Sequence, residues 1–369
     1  MKVAIVFGTR PEAIKMVPVA KEFRRRGHVP LLILTAQHRD MLDQHVQDFG
    51  LTPDIDLDIM RENQDLVYVT TEVLKKLDGV LNTERPDALL IQGDTTTTFA
   101  SSLAAFYHRI PVGHVEAGLR TWNRYLPYPE EINRQLTTRL ATWHFAPTEW
   151  SRDNLLKERV PADSIFVTGN TVIDVLLETV QSTADFTDPV LRSIDYDHQR
   201  VILLTAHRRE NFGAPLENIC RACLTILDKI DDTELVYPVH PNPNVRSVAW
   251  RLLGGKPRVH LIEPLEYHTF VRLMNRCYLI LSDSGGVQEE APSLGKPVLV
   301  LRSVTERPEA VASGVVKLVG TDEQQITTET LRLLTDPSAY RAMTSRANPY
   351  GDGKASKRIV DIIESALKS

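Results

Sequence analysis

The chain lacks long apolar runs, dense basic runs and all but three cysteines, and each shortage removes a class of function. No apolar stretch approaches the roughly 20 residues needed to cross a bilayer. The N-terminus, Met1 to Gly8, reads as a short buried strand that ends in a charged loop. It is too short for the apolar core of a secretion signal and has no cleavage site. A cytoplasmic protein without a membrane partner is expected. The net charge of −5 gives no support to nucleic acid as a partner. Cys220 and Cys223 form a C-x-x-C, but they sit in the helix-like pattern Leu216 to Leu227, and no second Cys/His pair completes a zinc site. With Cys277 they read as small buried hydrophobes. No internal repeat, low-complexity segment or G-x-G-x-x-G dinucleotide fingerprint is evident.

What is present is alternation. Apolar runs at Val3–Phe7, Val29–Leu34, Ala88–Ile91, Val112–His114, His144–Ala146 and Ile165–Val167 alternate with helix-like stretches such as Glu12–Gly27 and Thr97–His108. A second series follows at Val201–Thr205, Leu235–Pro238, Val259–Ile262, Leu279–Ser282, Val298–Leu301 and Val315–Val319. Near-continuous apolar strands between helices predict parallel sheets covered on both faces. The 369 residues suit two domains. The expected fold class is α/β, with two doubly wound Rossmann-like domains at residues 1–168 and 169–353, facing a central cleft. The segment from Ala184 to Gln199 is polar and reads as a surface loop or irregular helix; Ala355–Leu367 is an amphipathic helix.

In open α/β sheets, ligands bind beyond the carboxyl ends of the strands. The charged motifs collect there. Arg10 and Lys15 follow the first strand, Asp94 follows Ile91, Glu116 follows His114, and His207 follows Thr205. Cations near a helix start oppose the macrodipole, which favours a phosphate-binding role for Arg10 and Lys15. Asp94 also suits a helix N-cap. Glu130 and Arg134 stand at i and i+4 on one helix face, the spacing of an ion pair. Asp54, Asp56 and Asp58 resemble a D-x-D metal motif, but their alternation suits an edge strand with an exposed polar face, and no metal site is expected.

The densest signal is Ser282-Asp283-Ser284-Gly285-Gly286-Val287-Gln288-Glu289-Glu290-Ala291, between two apolar runs. It predicts strand, Gly-rich loop and short helix. Paired glycines let a diphosphate approach the backbone. Glu290 lies about one and a half turns along, where a carboxylate can take hydrogen bonds from ribose hydroxyls. Arg208 and Arg209 beside His207, and Arg307 after the strand Val298–Leu301, add cations on the same side. Phosphate-binding cations, a diphosphate loop, a ribose-type acid and several carboxylates together indicate a sugar nucleotide and proton transfer.

These residues resemble the non-hydrolysing UDP-N-acetylglucosamine 2-epimerases. The resemblance runs through almost the whole chain, at Gly8–Lys15, Thr35–Arg39, Gln92–Thr98, Val112–Trp122, Pro127–Gln135, Thr205–Asn211, Leu281–Val300 and Thr305–Glu309. It implies a glycosyltransferase-B-like fold, with the last helix, residues 354–369, packing back on the first domain. It implies a homodimer that interconverts UDP-GlcNAc and UDP-ManNAc, supplying a precursor for cell-surface polysaccharide, with UDP as a further ligand and no added cofactor. By motif match, Asp94, Glu116, Glu130 and His207 would be catalytic. Arg10, Lys15, Arg134, Phe270, Ser284, Gly285, Gly286, Glu290 and Arg307 would bind substrate. Gln37, His38, Arg208 and His240 match a second, allosteric UDP-GlcNAc site, while Asp40 and Asn63 depart from the pattern of the regulated members. A hydrolysing 2-epimerase that releases ManNAc and UDP, a UDP-sugar glycosyltransferase and a non-catalytic sugar-nucleotide sensor are the alternatives.

Overall fold

The computed structural model describes residues 1–35, 52–61, 64–181 and 185–368. The chain divides into two compact units, Met1–Val175 with Tyr350–Ser369, and Leu176–Pro349.

The first unit is built on a parallel sheet of seven strands: β1 (Lys2–Phe7), β2 (Val29–Leu34), β3 (Ile55–Asp56), β4 (Ala88–Gln92), β5 (Val112–Val115), β6 (Trp143–Ala146) and β7 (Ile165–Val167). Their order is β3-β2-β1-β4-β5-β6-β7. Val3 to Phe7 and Ala88 to Ile91 are all buried because helices cover the sheet, so these strands carry aliphatic residues on both faces. β3 lies at the edge. Asp54, Asp56 and Asp58 are exposed while Leu57 and Ile59 are buried, as the edge-strand reading expects. The helices start on side-chain caps: Asp65 accepts from the Tyr68 N–H, and Thr95 from the Thr98 N–H. Each such cap contributes about 1 kcal/mol. The C-terminal helix Ala355–Lys368 lies in this unit against the helix Arg10–Arg25. Arg26 pairs there with Asp361 at 2.6 Å and Glu364 at 3.0 Å.

The second unit holds a parallel sheet of six strands: β8 (Arg200–Thr205), β9 (Thr233–Pro238), β10 (Val259–Ile262), β11 (Leu279–Ser282), β12 (Val298–Val300) and β13 (Val316–Leu318). Their order is β10-β9-β8-β11-β12-β13. The helix Ala214–Lys229 packs Leu216, Ile219, Ala222, Cys223 and Ile226 onto this sheet. Cys220, Cys223 and Cys277 are buried apolar fillers, and burial pushes each thiol pKa up, that of Cys277 to about 12. The polar stretch before β8 contains one short helix, Pro189–Ser193, capped by Asp188.

Both sheets have the 3-2-1-4-5-6 order of a Rossmann sheet, with one further strand in the first. The order reverses between β1 and β4 in the first unit and between β8 and β11 in the second. Strands diverging from such a point leave a crevice beyond their carboxyl ends, so its loops are the ones placed to meet a ligand.

Candidate active site

In the first unit, the switch point is organised by carboxylates. Glu12, on the helix that follows β1, is buried at 3 % exposure. It accepts from the Gly8 and Thr9 N–H groups at 2.7 Å and from the Thr95 hydroxyl at 2.5 Å. It thereby ties the loop after β1 to the loop after β4. Burial raises its pKa, and the hydrogen bonds from Thr95, Gly8 and Thr9 oppose that rise. Gly8 must be glycine here, because a Cβ would lie 2.4 Å from Thr35 Oγ1 and 2.7 Å from Thr97 Oγ1. Arg10 opens the helix Arg10–Arg25 beside this loop.

Glu116 follows β5 with left-handed backbone, φ 67°. Such a conformation is strained for a residue with a Cβ and recurs at functional sites. Its carboxylate is ion-paired with Lys15 and accepts from Gln92 Nε2 at 3.0 Å and Asn170 Nδ2 at 2.9 Å. Asp94 Oδ2 accepts from Arg134 Nε at 2.9 Å and Nη2 at 2.6 Å, and Asn133 holds the Asp94 carbonyl at 3.0 Å. The Glu130–Arg134 ion pair that the i, i+4 spacing allows is not formed among the described residues. Arg134 reaches Asp94 and, at 3.3 Å, the fully buried Glu131. The same contacts replace the N-cap expected of Asp94, since Thr95 caps the helix Thr96–Tyr107. Glu131 also accepts from the Thr121 and Trp122 N–H groups, which anchors the loop before the helix Glu130–Leu140. Burial pushes its pKa up, but hydrogen bonds from Thr121 and Gln135 with the Arg134 charge outweigh it, so the pKa is lowered. Glu130 stands at the helix start with Oε2 buried and without a hydrogen-bond donor among the described residues.

In the second unit, backbone and hydroxyl groups dominate. Ser284 precedes the helix Gly285–Glu290, whose first N–H groups no side chain caps. The Arg307 guanidinium lies over Gly285, with Cζ 3.2 Å from where a Cβ would stand, and Nε donates to Glu289 at 2.8 Å. Glu290 accepts from the Tyr267 hydroxyl at 2.9 Å. Phe270 is half-buried one turn further along the helix Tyr267–Arg276. After β8, the His207 and Arg208 N–H groups both donate to Asp283 Oδ2 at 2.8 Å. The His207 ring stacks on His240, centroids 5.4 Å apart.

The first unit thus brings together Lys15, Asp94, Glu116 and Arg134 with three side chains absent from the sequence-derived set, Glu12, Gln92 and Asn170. The second brings together His207, Arg208 and His240 around Asp283, and Ser284, Gly285, Gly286 and Arg307 around the Gly-rich turn. The signal for the missed residues is position: Gln92 ends β4, Asp283 follows β11, and both lie at switch points. Gln37, His38, Asp40 and Asn63 lie outside the described residues.

Two Rossmann-order sheets, each with polar groups at its switch point, put the chain in the glycosyltransferase-B-like class of α/β proteins. A family model described as UDP-N-acetylglucosamine 2-epimerase matches residues 21–364. The chain is 55 % identical over 362 residues to the UDP-N-acetylglucosamine 2-epimerase of Bacillus subtilis, covering 98 % of this chain and 94 % of that one. It is 53 % identical over 372 residues to the Escherichia coli enzyme of the same name, covering 99 % of each chain. The crystal structure of the Neisseria meningitidis UDP-GlcNAc 2-epimerase bound to UDP-GlcNAc superposes with a TM-score of 0.89 at 52 % identity, over 99 % of this chain and 100 % of that one. The chain belongs to the UDP-N-acetylglucosamine 2-epimerase family.

Proposed function

We propose that this protein interconverts UDP-GlcNAc and UDP-ManNAc by inverting C2, with no net hydrolysis of the sugar–phosphate bond. Glu116 is the strongest support: a carboxylate on strained backbone, held by Lys15, Gln92 and Asn170 beyond a strand end. Such fixed geometry suits an acid that handles a proton on a positioned carbon.

C2 of an N-acetyl sugar is not beside a carbonyl, so its proton is not acidic. UDP leaves first: the C1–O bond breaks, and its electron pair goes to the β-phosphate oxygen. The C2 proton then passes to a carboxylate and a C1=C2 glycal forms. UDP returns to C1 while a proton reaches C2 from the opposite face. The acids for these transfers are Asp94, Glu116 and Glu130. The uncapped N–H groups after Ser284, the small Gly285 and Gly286, and Arg307 suit the diphosphate, and Glu290 suits the ribose. A site of this kind works on a cytoplasmic nucleotide sugar. The chain acts as a homodimer, and its apolar surface at Phe106, Tyr107, Ile110 and Leu140 suits a second copy; Tyr107 alone is 69 % exposed.

The test is an NMR time course of UDP-GlcNAc in D₂O without added NAD or metal. The expected outcome is deuterium at C2 and a mixture with UDP-ManNAc. Accumulation of free ManNAc and UDP would instead identify a hydrolysing enzyme, and an unchanged spectrum would leave a transferase or a sensor.

A further inference from the structure

The loop after β11 carries a carboxylate that the roles above do not use. Asp283 is fully buried, at 0 % exposure. Its Oδ2 accepts from the His207 and Arg208 N–H groups and from Asn211 Nδ2 at 3.0 Å. Its Oδ1 is equally buried and has no hydrogen-bond donor among the described residues. A buried acceptor left unmet is expensive, so each instance calls for a reason. The group facing it is the His207 imidazole, with Nδ1 at 3.5 Å.

We propose that Asp283 is a positioning residue for His207. Its Oδ1 takes the imidazole Nδ1–H, selects that tautomer, and leaves Nε2 as the nitrogen that serves the substrate. At 3.5 Å the contact is longer than a hydrogen bond, but such contacts commonly tighten when substrate binds. A small side-chain rotation suffices, because the same carboxylate already holds the His207 main chain. The charged and titratable groups acting on His207 are Asp283, His240 and Arg208. Burial lowers the imidazole pKa, Asp283 raises it, and His240 and Arg208 lower it further. Among the described residues, Asp283 is thus the one group that favours the imidazolium, as in a buried carboxylate–histidine pair.

The role rests on the epimerase reading. In the protonated state, Nε2–H donates to the β-phosphate oxygen that takes up the electron pair of the breaking C1–O bond. The proton stays on nitrogen, and the same hydrogen bond loosens when the oxygen returns to C1, so the cycle consumes no proton.

The deciding measurement does not need turnover. Ring-nitrogen NMR of ¹⁵N-histidine-labelled protein, followed across pH with His207→Asn to assign the signal, reports tautomer and pKa directly. In the wild type the neutral ring should carry its proton on Nδ1. In Asp283→Asn, the amide oxygen can still accept from the two backbone N–H groups while its NH₂ faces Nδ1. The neutral ring should then shift to Nε2–H and its pKa should fall by about one unit or more. Turnover of that variant should drop about 10²-fold. A neutral Nε2–H ring in the wild type would overturn the proposal, and so would identical tautomer and pKa in both proteins. If Asp283→Asn does not fold, the wild-type tautomer decides alone. If the wild type does not epimerise UDP-GlcNAc, the epimerase reading fails while the tautomer result stands.

Discussion

The two switch points solve one structural problem with carboxylates that end up in different states. In the first unit Glu12 reaches from the helix after β1 to the loop after β4; in the second Asp283 reaches from the loop after β11 to the loop after β8. Each closes two loops that diverge from neighbouring strands. Glu12 has both oxygens occupied, Oε2 by Gly8 and Thr9 and Oε1 by Thr95 and Thr98. Asp283 has one oxygen occupied and one turned on His207. A saturated carboxylate can only hold its loops. A half-saturated one retains the capacity to act on a neighbour. The surroundings differ in the same way. The first unit gathers acids held by cations and amides, and the second offers a glycine-rich turn with an arginine over it. On the proposed function, one topology presents the proton-transfer carboxylates in one unit, and the nucleotide-binding turn with the His207–Asp283 pair in the other.

The largest test of that division is at the acids. Asp94→Asn, Glu116→Gln and Glu130→Gln should each lower turnover by about 10²–10⁴-fold while UDP affinity, measured by calorimetry, changes little. Wild-type rates in all three would erase the contrast between the units. The next test is acid stability. Burial pushes the His114 pKa down to about 3, although its bond to the Gly93 carbonyl pulls the other way. A depressed pKa means that the unfolded chain takes up the proton first. The associated stability is therefore fully present above about pH 6.5 and is lost as pH falls toward about 3. Between pH 7 and pH 4 the wild type should lose on the order of 3 kcal/mol more than His114→Gln, whose amide can still donate to Gly93. Glu12 acts with opposite sign, since its raised pKa makes its contribution fall with rising pH, but it is common to both proteins and cancels. Parallel denaturation curves at both pH values would place the His114 imidazole in contact with solvent.

Smaller effects are expected at the Gly-rich turn of the second unit. Ser284→Ala and Glu290→Ala should each weaken UDP binding about tenfold, with the rate at saturating substrate nearly kept. A fall in that rate at unchanged affinity would give the Gly-rich turn a part in the chemistry and break the comparison from its other side. The smallest effect concerns regulation through Gln37, His38, Arg208 and His240. If these residues form the second site that the resemblance implies, a ligand there can shift the enzyme only by its differential affinity for two states. Pure UDP-ManNAc cleared of UDP-GlcNAc should therefore convert after a short lag that traces of UDP-GlcNAc abolish. Immediate full-rate conversion would mean that the second site is silent.

Much of this was legible in the chain itself. Runs such as Val3–Phe7 and Leu279–Ser282 are apolar at consecutive positions, and only a strand covered on both faces can bury all of them. The Asp54, Asp56 and Asp58 alternation marked an edge for the same reason of period. Lys15, Asp94, Glu116, His207 and the turn at Gly285 and Gly286 stood out as polar residues just past such runs. What sequence spacing misplaced was partnership. Arg134 has Glu130 one helical turn away, yet it pairs with Asp94, 40 residues distant, because the helix Glu130–Leu140 turns that side chain onto the loop after β4.

The sequence by itself therefore determined which segments are strands and helices and which residue types lie at the strand ends. Those properties are set within a few residues, by side-chain periodicity, burial and capping. Only the tertiary structure decided which carboxylate is saturated and which is not. Glu12 meets Thr95 83 residues on, and Asp283 meets the His207 N–H 76 residues back. Pairings over such distances follow from which strands lie side by side, and a hydrogen bond of under 3 Å exists only once both backbones are in place.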